Sequence, residues 1–332
     1  MKEISVLIAI GVSVALPLNA QQNLPRIYKS GDTARKGSLV PGIAAGTAAR
    51  TFVSFSGLDT NACSRTSPCR SFGAALAQTA SGGTAVALDS AGYGTMAIGQ
   101  SVSIVAPAGV YAGIAATSGI AIDITGTSVS DIIHLRGLSI EGSGSGSDGI
   151  YLFADSLKEL HVEHCTITGF TDRGINFELV TNTASLFVAD TTISDSSIGL
   201  YAYGNPGVNP HMSADHCRFT GNSNKGLWID QATGTITNSV VSGNGTGLFA
   251  QFQAGILTGD QCQIENNTTG VAVSNSSTIY LSNSTITDNG TGLSSSLANL
   301  LSLIGDGTYP VKTNIVVNNG TNGSFTGTFN AQ

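Results

Sequence analysis

The sequence predicts an all-β fold: a right-handed parallel β-helix, built as a single-stranded solenoid with three short strands per coil and a short N-terminal capping helix. Three observations predict it: a repeat of similar segments, an apolar alternation within each segment, and 42 glycines with only 11% charged residues among 332. This composition favours short strands joined by tight turns over helices or disorder. The repeated segments begin at His164, Asp190, His216, Asn238, Gln261 and Asn283, and their apolar anchors are Ile167, Ile193, Phe219, Val241, Ile264 and Ile286.

Each repeat is one coil, and successive anchors lie 22 to 26 residues apart. Alternate residues such as Leu160 and Val162 are predicted to point inward, because side chains on a strand alternate between its two faces. Coils of such a solenoid stack at about 4.8 Å, so that equivalent residues form columns. One column predicts a ladder of hydrogen-bonded amides at Asn222, Asn244, Asn267 and Asn289.

Three cysteines belong to one inward column, which reads Cys165, Thr191, Cys217, Ser239, Cys262 and Ser284. Successive cysteines are therefore two coils apart, or about 9–10 Å. A disulfide tolerates a Cα separation of only about 7 Å. The sequence predicts three buried free thiols that act as small packing residues.

The chain is predicted to contain four regions. Residues 1–20 are interpreted as a signal peptide, and an N-terminal anchor or buried helix is the alternative. Their apolar run is short for a membrane span of about 20 residues, so we expect a secreted or periplasmic protein with no span in the mature chain. Residues 21–50 predict a flexible linker or arm, residues 51–83 an N-terminal cap, and residues 84–332 the β-helix with its C-terminal cap.

The cap is predicted to contain a disulfide between Cys63 and Cys69, because paired cysteines around a short turn are typical of an oxidising compartment. Ser67 as N-cap and Pro68 at the first helical position predict a helix from Cys69 to about Thr79. This helix would cover the first coil, as open ends of a solenoid require. Its apolar face consists of Phe72, Ala75 and Leu76.

The coils, the motif Thr51-Phe52-Val53-Ser54, the pair of cysteines and the segment 87–94 carry a family resemblance. On these features the chain resembles secreted bacterial β-helix proteins of the pectate-lyase-like superfamily, over roughly residues 51–330. Asp215-His216-Cys217 resembles part of the Ile-Asp-His-Cys segment of pectate lyases. Their Arg-x-Pro-x-x-Arg motif is absent, as is the Gly-His-Gly of polygalacturonase-like enzymes. The resemblance implies the fold, and it does not imply an activity for this chain.

The candidate site is the outer face of the third strand of each coil, the strand that the resemblance implies as the active face. By alternation, its first outward column is Tyr151, Asn176, Tyr201, Trp228, Phe249 and Ala272, and its second is Phe153, Glu178, Tyr203, Asp230, Gln251 and Ser274. An exposed aromatic stripe indicates an interaction site, and flat rings can stack on sugars. The candidate ligand-binding residues are Tyr151, Tyr201, Tyr203, Trp228 and Phe249.

The candidate catalytic residues on this face are Glu178, Asp230, Arg173 and Lys225. The coil spacing separates the two carboxylates by about 9–10 Å, near the upper end of the range of about 6.5–9.5 Å for inverting glycoside hydrolysis. In a polysaccharide lyase, Arg173 or Lys225 would instead act as the base or stabilise developing charge. No cofactor or metal is predicted, since Ca²⁺ takes about six to eight oxygen ligands and only two carboxylates lie nearby.

Interpretations without catalysis are also open. Arg173–Glu178 and Lys225–Asp230 would then be weak surface ion pairs, and the aromatic side chains would lie under residues 21–50 or against another chain.

A second cluster, His164, Asp190 and His216, occupies successive coils at the opposite corner. Stacked imidazole and carboxylate groups can bind a transition metal. The column continues as Asn238, Gln261 and Asn283. That continuation favours a hydrogen-bonding corner ladder over a metal site.

The sequence predicts a secreted protein that binds a polysaccharide along this face, and it leaves open whether the protein also cleaves that polysaccharide as a lyase or glycoside hydrolase. The alternative is a non-catalytic surface or structural protein that uses the same aromatic face for protein contacts. A net charge of −7 argues against nucleic acid as a partner, because phosphate contacts need a basic surface. The sequence does not determine the oligomeric state.

Overall fold

The computed structural model describes residues 46–153, 156–252, 255–296, 299–304 and 314–330. The predicted signal peptide lies outside the described residues, as does the predicted arm up to residue 45. The described ranges form one helix, α1 (Phe72–Gln78), and 31 strands. In these ranges no helix is long and apolar enough to cross a membrane.

The strands are short and follow one another closely along the chain. The first ten are β1 (Ala48–Val53), β2 (Thr79–Ala87), β3 (Ala91–Gly92), β4 (Met96–Ile98), β5 (Val102–Val105), β6 (Ala112–Ala115), β7 (Gly119–Ile124), β8 (Ile132–Arg136), β9 (Leu138–Glu141) and β10 (Gly146–Phe153). The next twelve are β11 (Glu159–Glu163), β12 (Thr166–Thr168), β13 (Arg173–Leu179), β14 (Ser185–Ala189), β15 (Thr192–Ser194), β16 (Ile198–Gly204), β17 (His211–Asp215), β18 (Arg218–Thr220), β19 (Lys225–Asp230), β20 (Thr233–Thr237), β21 (Val240–Ser242) and β22 (Thr246–Gln251). The last nine are β23 (Ile256–Asp260), β24 (Gln263–Glu265), β25 (Thr269–Ser274), β26 (Thr278–Ser282), β27 (Thr285–Thr287), β28 (Thr291–Ser296), β29 (Asn299–Ile304), β30 (Ile315–Val317) and β31 (Gly327–Asn330).

These strands form three parallel sheets, and successive coils add one strand to each. Sheet 1 has the order β1-β2-β5-β8-β11-β14-β17-β20-β23-β26-β29-β31. Sheet 2 has the order β3-β6-β9-β12-β15-β18-β21-β24-β27-β30, and sheet 3 has the order β4-β7-β10-β13-β16-β19-β22-β25-β28. The predicted parallel β-helix is therefore confirmed. The segment predicted as the cap, residues 51–83, includes parts of β1 and β2, which belong to sheet 1.

The core is a tube of apolar residues that stack in register from coil to coil. On sheet 3 the inward column is Ile150, Ile175, Leu200, Leu227, Leu248, Val271 and Leu293, all buried. A glycine precedes each of these residues because the neighbouring coils approach closely. A Cβ on Gly226 would lie 2.8 Å from the carbonyl oxygen of Gly247 and 3.1 Å from Asn244 Nδ2. Any side chain there would separate the coils.

The predicted asparagine ladder is confirmed, and it continues to Asn319. Each Nδ2 donates to the Oδ1 of the next asparagine at 2.9 Å, from Asn222 through Asn244, Asn267 and Asn289 to Asn319. The first four asparagines are at most 2% exposed. Because buried amides must find partners, the ladder fixes the stacking of the turns between sheets 2 and 3.

The corner between sheets 1 and 2 explains the column that contains His164, Asp190 and His216. These residues have φ of 52°, 49° and 51°, in the left-handed region that Asn, Asp and His tolerate better than other residues. The column continues with φ of 50° at Asn238, 53° at Gln261 and 48° at Asn283. Within the described part of the chain, no close group of three metal-ligating atoms forms at this corner. The column is thus accounted for by its backbone conformation.

The five cysteines behave as predicted. Cys63 and Cys69 form a disulfide, and Cys165, Cys217 and Cys262 are buried free thiols. Burial raises the pKa of each of the three thiols to about 11. Hydroxyl groups of the intervening coils accept hydrogen bonds from the cysteine backbone, as Thr191 Oγ1 does from Cys165 N at 3.2 Å.

The start of the capping helix was predicted wrongly. Helix α1 begins at Phe72, and Ser71 rather than Ser67 is its N-cap, with Oγ accepting from Ala74 N at 3.2 Å. Cys69 lies outside the helix because it forms a parallel bridge with Val53, in which its N–H donates to Phe52 O at 3.0 Å and its carbonyl accepts from Ser54 N at 2.9 Å. The predicted apolar face of the helix, Phe72, Ala75 and Leu76, is buried.

Candidate functional site

The candidate site lies on the outer face of sheet 3, on strands β10, β13, β16, β19 and β22. The predicted register is confirmed. The first outward column pairs Tyr151, Asn176, Tyr201, Trp228, Phe249 and Ala272 in successive coils. The second column pairs Phe153, Glu178, Tyr203, Asp230 and Gln251. Because these residues alternate with core residues, the sheet presents all of them on the face opposite the core.

The aromatic side chains do not form the exposed stripe that the sequence predicted. Tyr201 is 4% exposed and Trp228 is 8% exposed. Their rings pack at a centroid distance of 4.7 Å, and Trp228 packs on Phe249 at 5.7 Å. Tyr151, Tyr203 and Phe249 are half-buried. The face is therefore a packed aromatic layer in which only some rings are accessible.

Arg173 and Glu178 form a buried ion pair rather than the weak surface pair considered from the sequence. Arg173 Nη1 lies 2.8 Å from Glu178 Oε1, and the two side chains are 9% and 14% exposed. The guanidinium also lies 4.6 Å from the centroid of the Tyr201 ring, a cation–π distance. Burial lowers the pKa of Arg173, but Glu178, Asp172 and Asp148 outweigh it and raise the pKa above its ordinary value. Arg173 is thus held among acidic groups that favour its charged form.

Lys225 contacts aromatic rings. Its Nζ lies 4.6 Å from the ring centroid of Trp228 and 4.8 Å from that of Phe249, and it donates to Asn224 Oδ1 at 2.9 Å. The ammonium group therefore lies over the aromatic layer, next to the half-buried ring of Phe249.

Asp230 is 4% exposed, and its Oδ2 accepts a hydrogen bond from the Tyr201 hydroxyl at 3.0 Å. Burial, together with the negative charges of Asp230 and Glu178, raises the pKa of Tyr201 far above its ordinary value. Tyr201 consequently remains a hydrogen-bond donor to Asp230 across the physiological range. Tyr203 lies between Glu178 and Asp230 in the second column, so these carboxylates are two coils apart, as predicted.

Three polar residues of this face were not recognised as site residues from the sequence. Asp148 is 5% exposed and pairs in register with Arg173. Asp123 is half-buried and pairs with Tyr151. A signal for Asp148 was present, because it directly precedes Gly149 as Arg173 precedes Gly174 and Lys225 precedes Gly226.

Asn176 is the third such residue. It is 1% exposed, and within the described residues neither Nδ2 nor Oδ1 has a hydrogen-bond partner. An unsatisfied buried polar group costs about 1–3 kcal/mol. Unlike the asparagines of the ladder, this amide makes no hydrogen bond to a neighbouring coil among the described residues.

Among the described residues, the side chains that are close enough to share one metal ion do not lie in the candidate site. The one close group of three potential ligands in this part of the chain lies on the outer face of sheet 1, not on sheet 3.

Comparisons with known proteins support the fold. A family model described as "Right handed beta helix region" matches residues 89–286 and 179–330. No curated protein matches this chain. Among solved structures, the chain is similar to the pectate lyase Pel9A, with 14% identity over 78% of each chain and a TM-score of 0.55.

Two further similar structures are phage tailspikes. Tailspike protein 2 of Escherichia coli O157:H7 bacteriophage CAB120 is 14% identical, over 68% of this chain and 34% of that chain, with a TM-score of 0.48. The enzymatically active domain of bacteriophage CBA120 tailspike protein 2 is 15% identical, over 66% and 38%, with a TM-score of 0.43. At such identities the likeness to solved structures concerns the fold alone.

Proposed function

The chain belongs to the right-handed beta helix family, and from this premise we propose that it binds a polysaccharide along the outer face of sheet 3, between β10 and β22. One observation carries the proposal: five adjacent coils place aromatic and charged side chains in two outward columns. Folds of this kind host many functions, so the proposal rests on this face and not on the architecture.

The accessible rings provide the proposed contacts to sugar. Tyr151, Tyr203 and Phe249 are half-buried, so each exposes part of its ring to solvent. Tyr201 and Trp228 form a packed cluster against which Tyr203 and Phe249 lie, and Tyr151 stacks on Phe153. Side chains whose conformations are fixed before binding lose little entropy on binding, which favours affinity.

Charges of both signs lie along the same face. Arg173 and Lys225 supply cations, and Glu178 and Asp230 supply carboxylates in the second column. A ligand site of this kind combines apolar surface with a few placed polar groups that fix orientation. The pectate lyase to which the chain is similar has the same fold and acts on a polysaccharide, which is compatible with the proposal.

Binding of immobilised polysaccharides tests the proposal. The panel comprises neutral and uronate-containing polymers, and retention of the wild type is compared with that of Tyr203→Ala and Phe249→Ala. Loss of one stacked ring should weaken binding by roughly tenfold. Tyr111→Ala is the matched control, because Tyr111 is 49% exposed and hydrogen-bonds to Glu141 on a different face.

Two outcomes would overturn the proposal. One is an absence of wild-type retention on every polymer. The other is an equal loss of retention in Tyr111→Ala. Self-association in light scattering that Tyr203→Ala abolishes, without polysaccharide retention, would instead support the use of this face for protein contacts.

Cleavage is a second candidate function, favoured by the position of Glu178 and Asp230 two coils apart in one column. An inverting glycosidase needs one of its two carboxyl groups protonated. Here Glu178 is already paired with Arg173 and Asp230 already accepts from the Tyr201 hydroxyl, which is why binding comes first in our proposal.

The two kinds of cleavage give different products. New reducing ends without unsaturated uronates would indicate hydrolysis, and unsaturated uronates absorbing in the ultraviolet would indicate a lyase. Loss of either product in Glu178→Gln or Asp230→Asn, with polysaccharide retention intact, would assign the reaction to these carboxylates. Retention without any product would restrict the function to binding.

A further inference from the structure

We propose that His134, His161 and Glu163 form a transition-metal site on the outer face of sheet 1, with Zn²⁺ as a metal of the class that it fits. His134 lies on β8, and His161 and Glu163 lie on β11. His134 and His161 are directly paired in register, and Glu163 follows two residues later on the same face. This site is separate from the candidate site on sheet 3.

The geometry brings the three side chains together. One ligand atom from each of the three side chains lies within 4.8 Å of the others, and all three residues are half-buried. The two imidazole rings are stacked, with centroids 4.4 Å apart and planes inclined by 22°. Ligand atoms around tetrahedral zinc lie about 3.3 Å apart, given zinc–nitrogen bonds of about 2.0–2.1 Å. Zinc binding would therefore draw the ligand atoms closer together and turn the two rings out of their parallel stack, so that both ring nitrogens point at one ion.

A neighbouring carboxylate is placed to orient one of the ligands. Glu159 Oε2 lies 3.1 Å from His161 Nε2, on the same strand. Metal-binding histidines usually donate their second ring nitrogen to a carboxylate or carbonyl, which fixes the tautomer and the ring orientation. In the proposed site, Glu159 holds Nε2 and leaves Nδ1 of His161 for the metal.

One competing contact must be displaced. Arg136 Nη1 lies 3.2 Å from Glu163 Oε2, and the arginine side chain is 55% exposed. An exposed ion pair of this kind contributes little to stability, so a divalent cation can replace the guanidinium at small cost.

Three protein ligands leave a fourth zinc position open. Two imidazoles and one carboxylate with an open position are the ligand set of zinc sites that bind water or an exchangeable anion. Phe187 stacks on His161 at a centroid distance of 4.8 Å and is 39% exposed. It thus bounds the site on the side of the following coil.

Zinc titration of the full chain without an affinity tag tests the proposal. Isothermal calorimetry should show one Zn²⁺ per chain, and His134→Gln, His161→Gln and Glu163→Gln should each weaken binding at least about tenfold. Matched controls are His164→Gln and His216→Gln, whose side chains are 51% and 60% exposed at the corner between sheets 1 and 2. These controls should bind zinc as the wild type does. Circular dichroism checks that each variant is folded.

A second variant should change affinity in the opposite direction. Arg136→Met removes the competing cation from Glu163 and should strengthen zinc binding by up to about fivefold. The proposal is overturned if the wild type binds no zinc. It is also overturned if folded His134→Gln and His161→Gln bind zinc as the wild type does, or if His164→Gln loses as much affinity. The stacked rings would then have only a structural role.

Discussion

The outer face of sheet 3 differs sharply between its middle coils and its last coils, although both follow one register. From β10 to β22 the first outward column contains Tyr151, Asn176, Tyr201, Trp228 and Phe249. In β25 and β28 the same column contains Ala272 and Ser294. The second column changes in the same way, from residues such as Glu178 and Asp230 to Ser274 and Ser296.

The inward column changes little over the same coils. Leu227 in β19 becomes Val271 in β25 and Leu293 in β28, and all three are buried. The solenoid therefore needs apolar residues inside, whereas small residues such as Ala272 and Ser294 are sufficient on the outer face of a coil. The aromatic and charged side chains of the middle coils exceed what the fold requires, which is why we assign a function to them.

The largest effect on stability is expected when a residue of a middle coil is replaced by the residue that occupies the same position in a late coil. Arg173 occupies the position that Thr246, Thr269 and Thr291 occupy later in the sheet. Arg173→Thr removes the guanidinium from the poorly exposed Glu178 and should lower the free energy of unfolding by about 3–5 kcal/mol. Urea denaturation followed by circular dichroism measures this change.

The double variant Arg173→Thr/Glu178→Ser is the control, because it copies both residues of a late coil. It should recover part of the lost stability, because Glu178 is no longer left without its cation, whereas the buried Asp148 still loses the charge of Arg173. A single variant as stable as the wild type would show that the middle coils do not depend on this ion pair.

Two buried asparagines should respond in opposite directions to the same substitution. Asn244→Leu interrupts the ladder, leaves Asn222 N without its 3.0 Å acceptor, and should cost about 2–3 kcal/mol. Asn176→Leu replaces an amide that lacks partners among the described residues and should stabilise the protein by about 1 kcal/mol. Chemical denaturation of both variants tests the difference. Destabilisation of similar size in both would mean that Asn176 is structural.

The periodicity of the sequence predicted the fold because each inward residue obeys a local rule. Alternation placed Leu160, Val162 and Ile167 inside, and the repeat aligned the ladder and the cysteine column. Alternation also assigned Tyr201 and Trp228 to the outer face. It did not predict their burial, because burial depends on how rings and Arg173 pack against one another across coils.

Other errors have equally specific causes. The helix start at Ser67 was predicted from local capping preferences, whereas Cys69 is held by the disulfide and by its bond to Phe52. The pair His134 and His161 was not predicted because outward columns were compared between coils for the third strand, and not for the strands of sheet 1. The pattern Ile-His-Leu at 133–135 and Leu-His-Val at 160–162 would have revealed it.

The smallest expected effect concerns a carboxylate outside the sheet 3 face. Asp215 accepts from Thr237 Oγ1 at 2.6 Å and Asn238 Nδ2 at 2.8 Å, and its Oδ2 lies 2.8 Å from His216 Nδ1. The hydrogen bond from Thr237, followed by those from Asn238 and His216, lowers the pKa of Asp215 to about 2. The folded pKa is thus below the unfolded value of about 3.9. The contribution to stability is therefore present above about pH 4 and is lost as the pH falls towards 2.

Asp215→Asn should consequently be less stable than the wild type at pH 7 and should approach it near pH 2. The side chain is 44% exposed, so the difference at pH 7 should be below about 1 kcal/mol. Thermal unfolding at both pH values measures it. Asp190→Asn is the matched control, because Asp190 occupies the left-handed corner column, where asparagine is equally tolerated. A stability gap in Asp215→Asn that persists unchanged at pH 2 would mean that these hydrogen bonds do not depend on the carboxylate charge. In that case Asp215 would act only as the last residue of its strand, as Thr237 and Ser282 do in later coils.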